Sequence, residues 1–384
     1  MKSVFIQNYG VHQHAFRPLG SSTSALIHIH DTITTFMERG SCLWVRLTCF
    51  DFRKAFDKLQ HNRLLNSLKN KGLNQGFLLW LQSFLSDRHS KVCMDNAFGP
   101  KFPVLSGVPQ GSVLGPYLFA MFVSSIEIKN DHAQIIKFAD DITLVECLSR
   151  DYATPNGLQA LRTWSMQNKM PLNHQKCQQI IISRTANTSL ESFAYSDIQL
   201  VTSVRILGVT FTNDLKWRTH FKRVTLSSSR RLHILRCLRR LVPKEKLFTV
   251  FRATVLAMIL YACPLFGPLS RNVQNIIDRI VKRAHRIICG PLCQSSCNFV
   301  PNVSELRYCA ARDLLLKCEL SDHPLHELVP PKMARTQHFC LPYCKTQRRL
   351  NSFFPSTYEQ VNSLTPHGWR DEVYIRIPHR TVSQ

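Results

Sequence analysis

Acidic residues are scarce in this sequence. Of its 384 residues, 25 are Asp or Glu and 49 are Lys or Arg, which gives a formal net charge of +24 at pH 7. So large a positive excess is unusual for a cytosolic enzyme and makes polyanions the first partners to consider. Repeats and low-complexity tracts are also missing, and 44% of the residues are hydrophobic, so a disordered or collagen-like chain is excluded. At about 150 residues per domain, the length predicts two to three domains.

Long hydrophobic runs are absent as well. The longest nearly uncharged apolar run extends from Ala253 to Gly267 and contains Pro264, and it is shorter than the roughly 18 residues needed to cross a bilayer. We therefore expect a buried helix there and no membrane anchor. The sequence opens without a signal peptide, so its 14 cysteines predict reduced thiols inside a cell rather than a disulfide scaffold.

Two sets of carboxylates stand at the ends of predicted strands. Apolar residues alternate with others from Leu43 to Cys49, a period of two that predicts a strand delivering Asp51 at its C-terminal end. Two short β patterns, QIIKF and ITLV, flank Asp140 and Asp141, which predicts a hairpin with both carboxylates at its tip.

The three carboxylates meet if these strands are neighbours in one sheet. Clustered carboxylates repel one another unless a cation neutralises them, and their hard oxygen atoms favour Mg²⁺ or Mn²⁺. Two such ions can clamp the attacking and leaving oxygens of a phosphoryl displacement. For an isolated Asp-Asp pair the alternative is a solvated turn, where Asp is common.

Helical and β patterns alternate through the first two thirds of the sequence and predict a mixed α+β domain. Helices are predicted over 61–71, 77–85 and 116–126, and further strands over 179–183 and 204–211. A turn-rich stretch from Ser106 to Ser112 opens the third of these helices. Beyond about Gly290 the periodicity weakens, and we expect a small appended module or an irregular tail.

A strongly basic region follows the last predicted strand. Between Lys216 and Arg252 twelve residues are Lys or Arg, and only Glu245 is acidic. Because charges are usually balanced on solvated helices, this excess favours a helical surface that holds nucleic-acid phosphates without reading the bases. An ordinary solvated helix face is the alternative. The residues assigned to this surface are Lys216, Arg218, Lys222, Arg223, Arg230 and Arg231.

Several ordered segments resemble the reverse transcriptases of non-LTR retrotransposons, the LINE-type elements, most closely their jockey-like branch. In chain order the matching segments are QHAFRPLGSST from Gln13, DFRKAFDKLQHNRLL from Asp51 (motif A), SGVPQGSVLGPYLF from Ser106 (motif B), FADD from Phe138 (motif C), Leu172-Asn173 with Lys176 and Cys177 (motif D), and ILGVTFTNDLKW from Ile206. The resemblance covers residues 13–290. Ala15 stands where the family usually has Gly, and Arg53 replaces the usual Ser.

The resemblance implies an RNA-directed DNA polymerase, in which a primer 3′-hydroxyl attacks a deoxynucleoside triphosphate and pyrophosphate leaves. Asp51 and Asp140 would hold two Mg²⁺ (or Mn²⁺) ions, with Asp141 supporting the pair or the second metal. Lys176 matches the motif D lysine, a candidate general acid for the departing pyrophosphate. A plain surface lysine is the alternative for Lys176.

Four further residues are predicted to bind the nucleotide. Phe56 would close the space of a ribose 2′-hydroxyl, because a phenyl ring is bulky and has no hydrogen-bond acceptor; an ordinary core Phe is the alternative. Gln110 and Gly111 match motif B residues that contact the nucleotide and template, although a plain turn before a helix would look similar. Arg17 would reach either the triphosphate or the template backbone. Asp57 is interpreted as a turn or helix N-cap residue.

The cysteines near the end of the basic region raise the question of zinc. Cys289, Cys293, Cys297 and Cys309 have the spacing C-x3-C-x3-C-x11-C, which lacks the closely spaced pairs followed by His or Cys of zinc knuckles. We favour unpaired buried thiols.

The implied partners are an RNA template, a DNA primer, deoxynucleoside triphosphates and a retrotransposon endonuclease domain absent from this chain, with no membrane. The implied location is the nucleus, after a cytoplasmic ribonucleoprotein stage. Because Gln13 lies so close to Met1, we expect an N-terminally truncated polymerase with incomplete fingers. Two other hypotheses stay open: an inactive remnant that binds RNA through its basic region, and an intron maturase-type reverse transcriptase.

The predicted fold is an α+β right-hand polymerase. It would comprise partial fingers (1–40), a palm with a small antiparallel sheet and inserted helices (41–212), a basic helical thumb (213–290) and a C-terminal extension of uncertain structure (291–384).

Overall fold

The computed structural model describes residues 9–10, 12–95, 97–128, 130–149, 157–183, 193–290, 302–333 and 338–363. Its α-helices are α1 Ser22–Glu38, α2 Ala55–Lys58, α3 His61–Asn70, α4 Gln75–Leu85, α5 Leu114–Val123, α6 Gly157–Gln167, α7 Arg218–Leu238, α8 Lys244–Phe251, α9 Ala257–Leu260, α10 Arg271–Cys289, α11 Val303–Cys318, α12 Gln347–Leu350 and α13 Phe353–Asn362. Its strands are β1 Trp44–Phe50, β2 His89–Ser90, β3 Cys93–Met94, β4 Ala97–Phe98, β5 Phe102–Pro103, β6 Ala133–Phe138, β7 Asp141–Leu148, β8 Gln178–Ser183, β9 Gln199–Leu200, β10 Ser203–Ile206 and β11 Val209–Thr212.

The largest sheet has five strands in the order β6-β7-β1-β8-β9. β7 and β8 pair antiparallel with the two sides of β1, β6 pairs antiparallel with β7, and only β9 joins in parallel. The α+β class with a small antiparallel sheet is thus confirmed, and so are the strand before Asp51 and the hairpin around Asp140.

The sheet lies between two hydrophobic cores. Alternate residues of a strand point to opposite faces, and Ile136 and Val145 pack with α1 in one core whereas Ile135 and Leu144 pack in the other. This explains the consecutive apolar residues Ile135–Ile136 in β6 and Leu144–Val145 in β7, because a strand covered on both faces buries neighbouring residues on opposite sides.

Two predicted elements differ from the structure. The single strand predicted over 204–211 is a two-stranded hairpin of β10 and β11, whose turn is made by Leu207 (φ +44°) and Gly208 (φ +86°). The buried helix predicted over 253–267 is broken into a π-helical turn (Arg252–Leu256), α9 and a 3₁₀ turn (Cys263–Phe266). Pro264 causes part of this break, because proline has no backbone N–H to donate within a helix.

The C-terminal helices belong to the main core, which the weak periodicity of this region did not indicate. Phe353 and Tyr358 of α13 are buried in the same cluster as α1. Polar contacts reinforce the packing: the Arg349 guanidinium donates to Asp31 Oδ1 at 2.5 Å, and the Glu38 carboxylate accepts the backbone N–H of Thr346 at 3.0 Å. Since α1 also packs on β6 and β7, the C-terminal segment helps support the central sheet.

Candidate functional site

Asp51 follows directly after β1 and is held from one side by the segment before β8. The Arg53 N–H donates to the Pro171 carbonyl at 2.9 Å, and the Asn173 N–H donates to the Asp51 carbonyl at 2.7 Å. The Asn173 side chain also donates from Nδ2 to Asp51 Oδ2 at 3.2 Å. Lys176 Nζ lies 3.6 Å from the same carboxylate oxygen. The structure therefore brings Asp51 and Lys176 together. Asn173, which matches motif D but was given no role from the sequence, is a third neighbour in this group.

Asp140 and Asp141 occupy the tip of the β6–β7 hairpin. Phe138 pairs with Asp141 across the turn, and Phe50 pairs with Ile142, so Asp51 emerges beside Asp141 at the same edge of the sheet. Ala139 adopts the left-handed conformation (φ +55°). The turn is thereby tight enough to bring two consecutive aspartates to the end of β1.

The aspartates influence one another electrostatically. The pKa of Asp140 is raised, first by its partial burial and further by the negative charge of Asp51. The pKa of Asp141 is raised by partial removal from water, and then by Asp140 and Asp51. A cluster of this kind favours cations, because each carboxylate makes ionisation of its neighbours harder.

The carboxylates do not converge on one point in this structure. Across the described ranges, no group of three or more His, Cys, Asp or Glu side chains is arranged to hold a metal ion. The assignment of Asp51, Asp140 and Asp141 as metal ligands therefore stays a prediction, supported by their proximity and by the hard oxygen chemistry of the donor set.

Phe56 lies on the short helix α2, five residues after Asp51. Its ring is half-buried and stacks on Phe119 of α5, with centroids 4.3 Å apart and planes tilted by 26°. The turn-rich loop before α5 crosses over α2: the Val108 N–H donates to the Phe56 carbonyl at 3.0 Å, and the Gly107 N–H donates to the Leu59 carbonyl at 2.7 Å. This loop and the ring of Phe56 therefore share one local framework.

Gln110 and Gly111 lie on that loop. Gln110 donates from Nε2 to Asp57 Oδ1 at 2.8 Å, so its side chain contacts α2. Asp57 is not an N-cap: Lys54 holds that position, and Asp57 lies within the helix. Gly111 has φ +81° and open space around its Cα, which leaves its backbone accessible.

Arg17 faces the C-terminal part of the chain. Its guanidinium is half-buried, and this burial lowers the pKa of Arg17. The negative charges of Asp322 and Glu327 act in the opposite direction and offset part of the decrease. The structure thus places Arg17 beside acidic groups that the sequence analysis did not connect with it, and its predicted contact with a triphosphate or template stays a prediction.

Most of the predicted basic residues are exposed on or next to α7. Lys216, Arg218, Lys222 and Arg230 are exposed, whereas Arg231 is partly buried and donates from Nη1 to the Thr254 carbonyl at 2.6 Å. Arg231 therefore joins α7 to the next helical segment. Helix α10 packs against α7 and adds exposed basic residues that were not selected from the sequence: Arg279, Lys282, Arg283 and Arg286.

The cysteines give no sign of a structural cross-link. None of the twelve cysteines in the described ranges, Cys289 and Cys309 among them, forms a disulfide bond. Cys293 and Cys297, the other two members of the weighed zinc pattern, lie outside the described residues. In the part of the chain that the structure describes, no helix has the length and apolarity to cross a membrane.

The α+β fold with its small antiparallel sheet agrees with the polymerase family that the motifs indicate. A family model described as "Reverse transcriptase (RNA-dependent DNA polymerase)" matches residues 2–211, more than half of the chain, and the chain belongs to this family. Reverse transcriptases as a family depend on divalent metal ions. The resemblance inferred from the motifs is confirmed.

Two of the curated relatives are polymerases of mobile elements. The chain is 27% identical over 257 residues to the RNA-directed DNA polymerase from mobile element jockey of Drosophila melanogaster, covering 62% of this chain and 28% of the relative. It is 26% identical over 302 residues to the probable RNA-directed DNA polymerase from transposon BS of the same species, covering 72% and 32%. The chain thus spans about a third or less of the length of these curated relatives.

A solved structure of telomerase from Candida albicans, in complex with a fragment of telomeric RNA, is similar at 13% identity and a TM-score of 0.41. This similarity covers 82% of this chain and 55% of that one.

Proposed function

We propose that the chain is the catalytic part of an RNA-directed DNA polymerase of a retrotransposon. The observation that carries the proposal is that Asp51, Asp140 and Asp141 lie at the same edge of the sheet, with Lys176 beside Asp51. The reaction is attack of a primer 3′-hydroxyl on a deoxynucleoside triphosphate, directed by an RNA template. Under this proposal residues 41–212 form the palm, residues 213–290 form the thumb, and residues 1–40 belong to the fingers.

The three aspartates would hold two Mg²⁺ or Mn²⁺ ions. Bound there, the ions would neutralise the negative charge of the triphosphate and stabilise the charge on the attacking and leaving oxygens of an in-line displacement. The donor set suits them, because a divalent cation would offset the partial burial and the mutual repulsion that raise the pKa values of Asp140 and Asp141. Asn173 orients Asp51 through its Nδ2 donor.

Lys176 would supply a proton. Its Nζ ammonium is exposed and lies 3.6 Å from Asp51 Oδ2, so it is tethered by charge near the site and its side chain stays mobile. From there Nζ would protonate the leaving pyrophosphate oxygen as a general acid.

Phe56 would exclude ribonucleotides. Stacking on Phe119 at 4.3 Å holds the ring in place, so it cannot easily turn aside for a 2′-hydroxyl. The ring also offers that hydroxyl no hydrogen-bond acceptor. The Gln110 side chain, held by Asp57, and the open backbone at Gly111 would contact the nucleotide and template beside it.

The exposed basic residues of α7 and α10 would follow the phosphates of the template–primer duplex. Such contacts neutralise phosphates and are independent of base sequence, so binding should weaken steeply with salt. For an element of this family, priming at a nicked chromosomal end would place the reaction in the nucleus, and an endonuclease domain would supply the nick.

Primer extension tests the proposal. The purified chain is given poly(rA)/oligo(dT) with Mg²⁺ and either dTTP or UTP, alongside an Asp140→Ala, Asp141→Ala variant. Extension by the wild type with dTTP, lost in the variant, is the expected result. A Phe56→Ala variant should incorporate UTP better than the wild type does. Extension that survives loss of both aspartates would refute the assigned site.

A second candidate function is RNA binding without catalysis, which the exposed basic surface favours. Salt-sensitive RNA binding that the aspartate variant retains, together with no extension by either protein, would support this function instead. Filter binding over a salt series provides the measurement.

A further inference from the structure

Gln13 links the N-terminal segment to the turn that carries Asp140. Its side chain is fully buried, and its Oε1 accepts two backbone N–H groups, from Ala139 at 3.1 Å and from Ala15 at 3.0 Å. Ala139 immediately precedes Asp140, so this contact lies one residue from a predicted metal ligand.

The backbone around Gln13 is also fixed against β6. The Lys137 N–H donates to the His12 carbonyl at 2.9 Å, and the His14 N–H donates to the Lys137 carbonyl at 3.0 Å. These two bonds form a parallel bridge between Gln13 and Lys137. The side chain of Gln13 therefore reaches the turn from a rigid position.

The turn needs such support. Ala139 has φ +55°, a conformation that is unfavourable for a residue with a Cβ and persists only where the surroundings stabilise it. Its N–H is bound by the Gln13 side chain, so Gln13 is one of the groups that stabilise this conformation.

We propose that Gln13 is a positioning residue: by accepting the Ala139 N–H it holds the hairpin tip in the left-handed conformation that presents Asp140 beside Asp51. The proposal deepens the polymerase function proposed above and rests on it for its consequence in catalysis. Its structural part is independent of that function.

Hydrogen exchange tests the structural part. In Gln13→Met, a side chain of similar length replaces the amide acceptor with a weakly accepting sulfur. Exchange of the Ala139 amide, followed by NMR or by mass spectrometry of overlapping fragments, should become roughly tenfold faster, the factor that corresponds to loss of one hydrogen bond. Unchanged exchange at Ala139 would overturn the proposal whether or not the chain is active.

Gln134→Met is the matched control. Gln134 lies on β6, the strand to which Gln13 is bridged, and is partly buried. Its Oε1 accepts from Thr32 Oγ1 at 2.9 Å, but it lies away from the turn. This variant should leave exchange at Ala139 unchanged. If it accelerates exchange there as much as Gln13→Met does, the effect is general loosening of the sheet and the specific role of Gln13 is refuted.

Metal binding and rescue test the consequence. Mn²⁺ affinity, measured by electron paramagnetic resonance, should fall roughly tenfold in Gln13→Met and stay unchanged in Gln134→Met. Adding Ala139→Gly to Gln13→Met should restore most of the affinity, because glycine adopts positive φ without the Cβ penalty. Equal affinity in wild type and Gln13→Met, or no recovery in the double variant, would contradict the proposed mechanism.

These experiments separate the two proposals. If Asp140→Ala loses Mn²⁺ binding but still extends the primer, that result would count against the proposed function. Normal extension, with a normal Mg²⁺ requirement in Gln13→Met, would count against the role of Gln13 alone.

Discussion

Two glycines of the loop before α5 offer a comparison in which only one physical factor changes. Gly107 and Gly111 have the same backbone angle, φ +81°, so replacing either by Ala forces a Cβ into the left-handed region at a cost of about 1–2 kcal/mol. Gly111 has open space around it, whereas a Cβ on Gly107 would lie 2.7 Å from both the Cα and the carbonyl oxygen of Asp57.

That difference predicts unequal losses of stability. Backbone atoms cannot turn aside as a flexible side chain can, and overpacking of this kind adds about 1–3 kcal/mol. Gly111→Ala should therefore lower the free energy of unfolding by about 1–2 kcal/mol, and Gly107→Ala by about 2–5 kcal/mol. Urea denaturation followed by tryptophan fluorescence gives both values.

The same comparison reports on the site. Gly107 lies directly over α2, so Gly107→Ala should displace Phe56 and reduce discrimination between dTTP and UTP in any active enzyme. Gly111→Ala should alter nucleotide or template contacts and leave the Phe56 ring in place. Equal destabilisation by the two substitutions would refute the reasoning, because it would mean that the close approach of the loop to α2 does not exist.

Three further outcomes are expected. Arg46 Nε donates to Glu146 Oε2 at 2.9 Å, and both side chains are buried. Arg46→Met should therefore leave a buried carboxylate without its partner and lower the free energy of unfolding, measured in urea, by about 3–5 kcal/mol. A loss under about 1 kcal/mol would contradict this prediction. Burial lowers the pKa of His28 to about 3. Below pH 6.5, roughly the pKa of an exposed histidine, the unfolded chain therefore binds a proton that the folded chain does not, and the free energy of unfolding should fall by about 1.4 kcal/mol per pH unit. The loss of stability between pH 7 and pH 5 should be smaller in His28→Asn. Lys222→Ala should reduce the slope of log RNA affinity against log salt concentration by about 1. Arg231→Ala should leave this slope unchanged and destabilise the helix packing. A reduced slope in Arg231→Ala would place that residue on the binding surface.

The local features of the site could be located from sequence patterns. Alternation of apolar residues located β1, and two short β patterns located the hairpin of β6 and β7. Asp51 and Asp140 were thereby placed at strand ends. The ordered motifs identified the reverse transcriptase family, which the family match confirms. A strand or helix with one buried face has apolar residues at regular intervals, so such elements can be recognised in the sequence. The motifs can be recognised because each consists of residues that are close together in the sequence.

The contacts of those residues could be read only from the folded chain. Contacts between distant segments make β1 and β7 neighbours in the sheet. They also let Gln110 donate a hydrogen bond to Asp57, and Arg231 donate one to the Thr254 carbonyl. The role of Gln13 at the Ala139 turn is of the same kind, since 126 residues separate donor and acceptor. Such pairings are set by packing and by the need to satisfy buried polar groups across the whole fold, and neither requirement leaves a local pattern in the sequence.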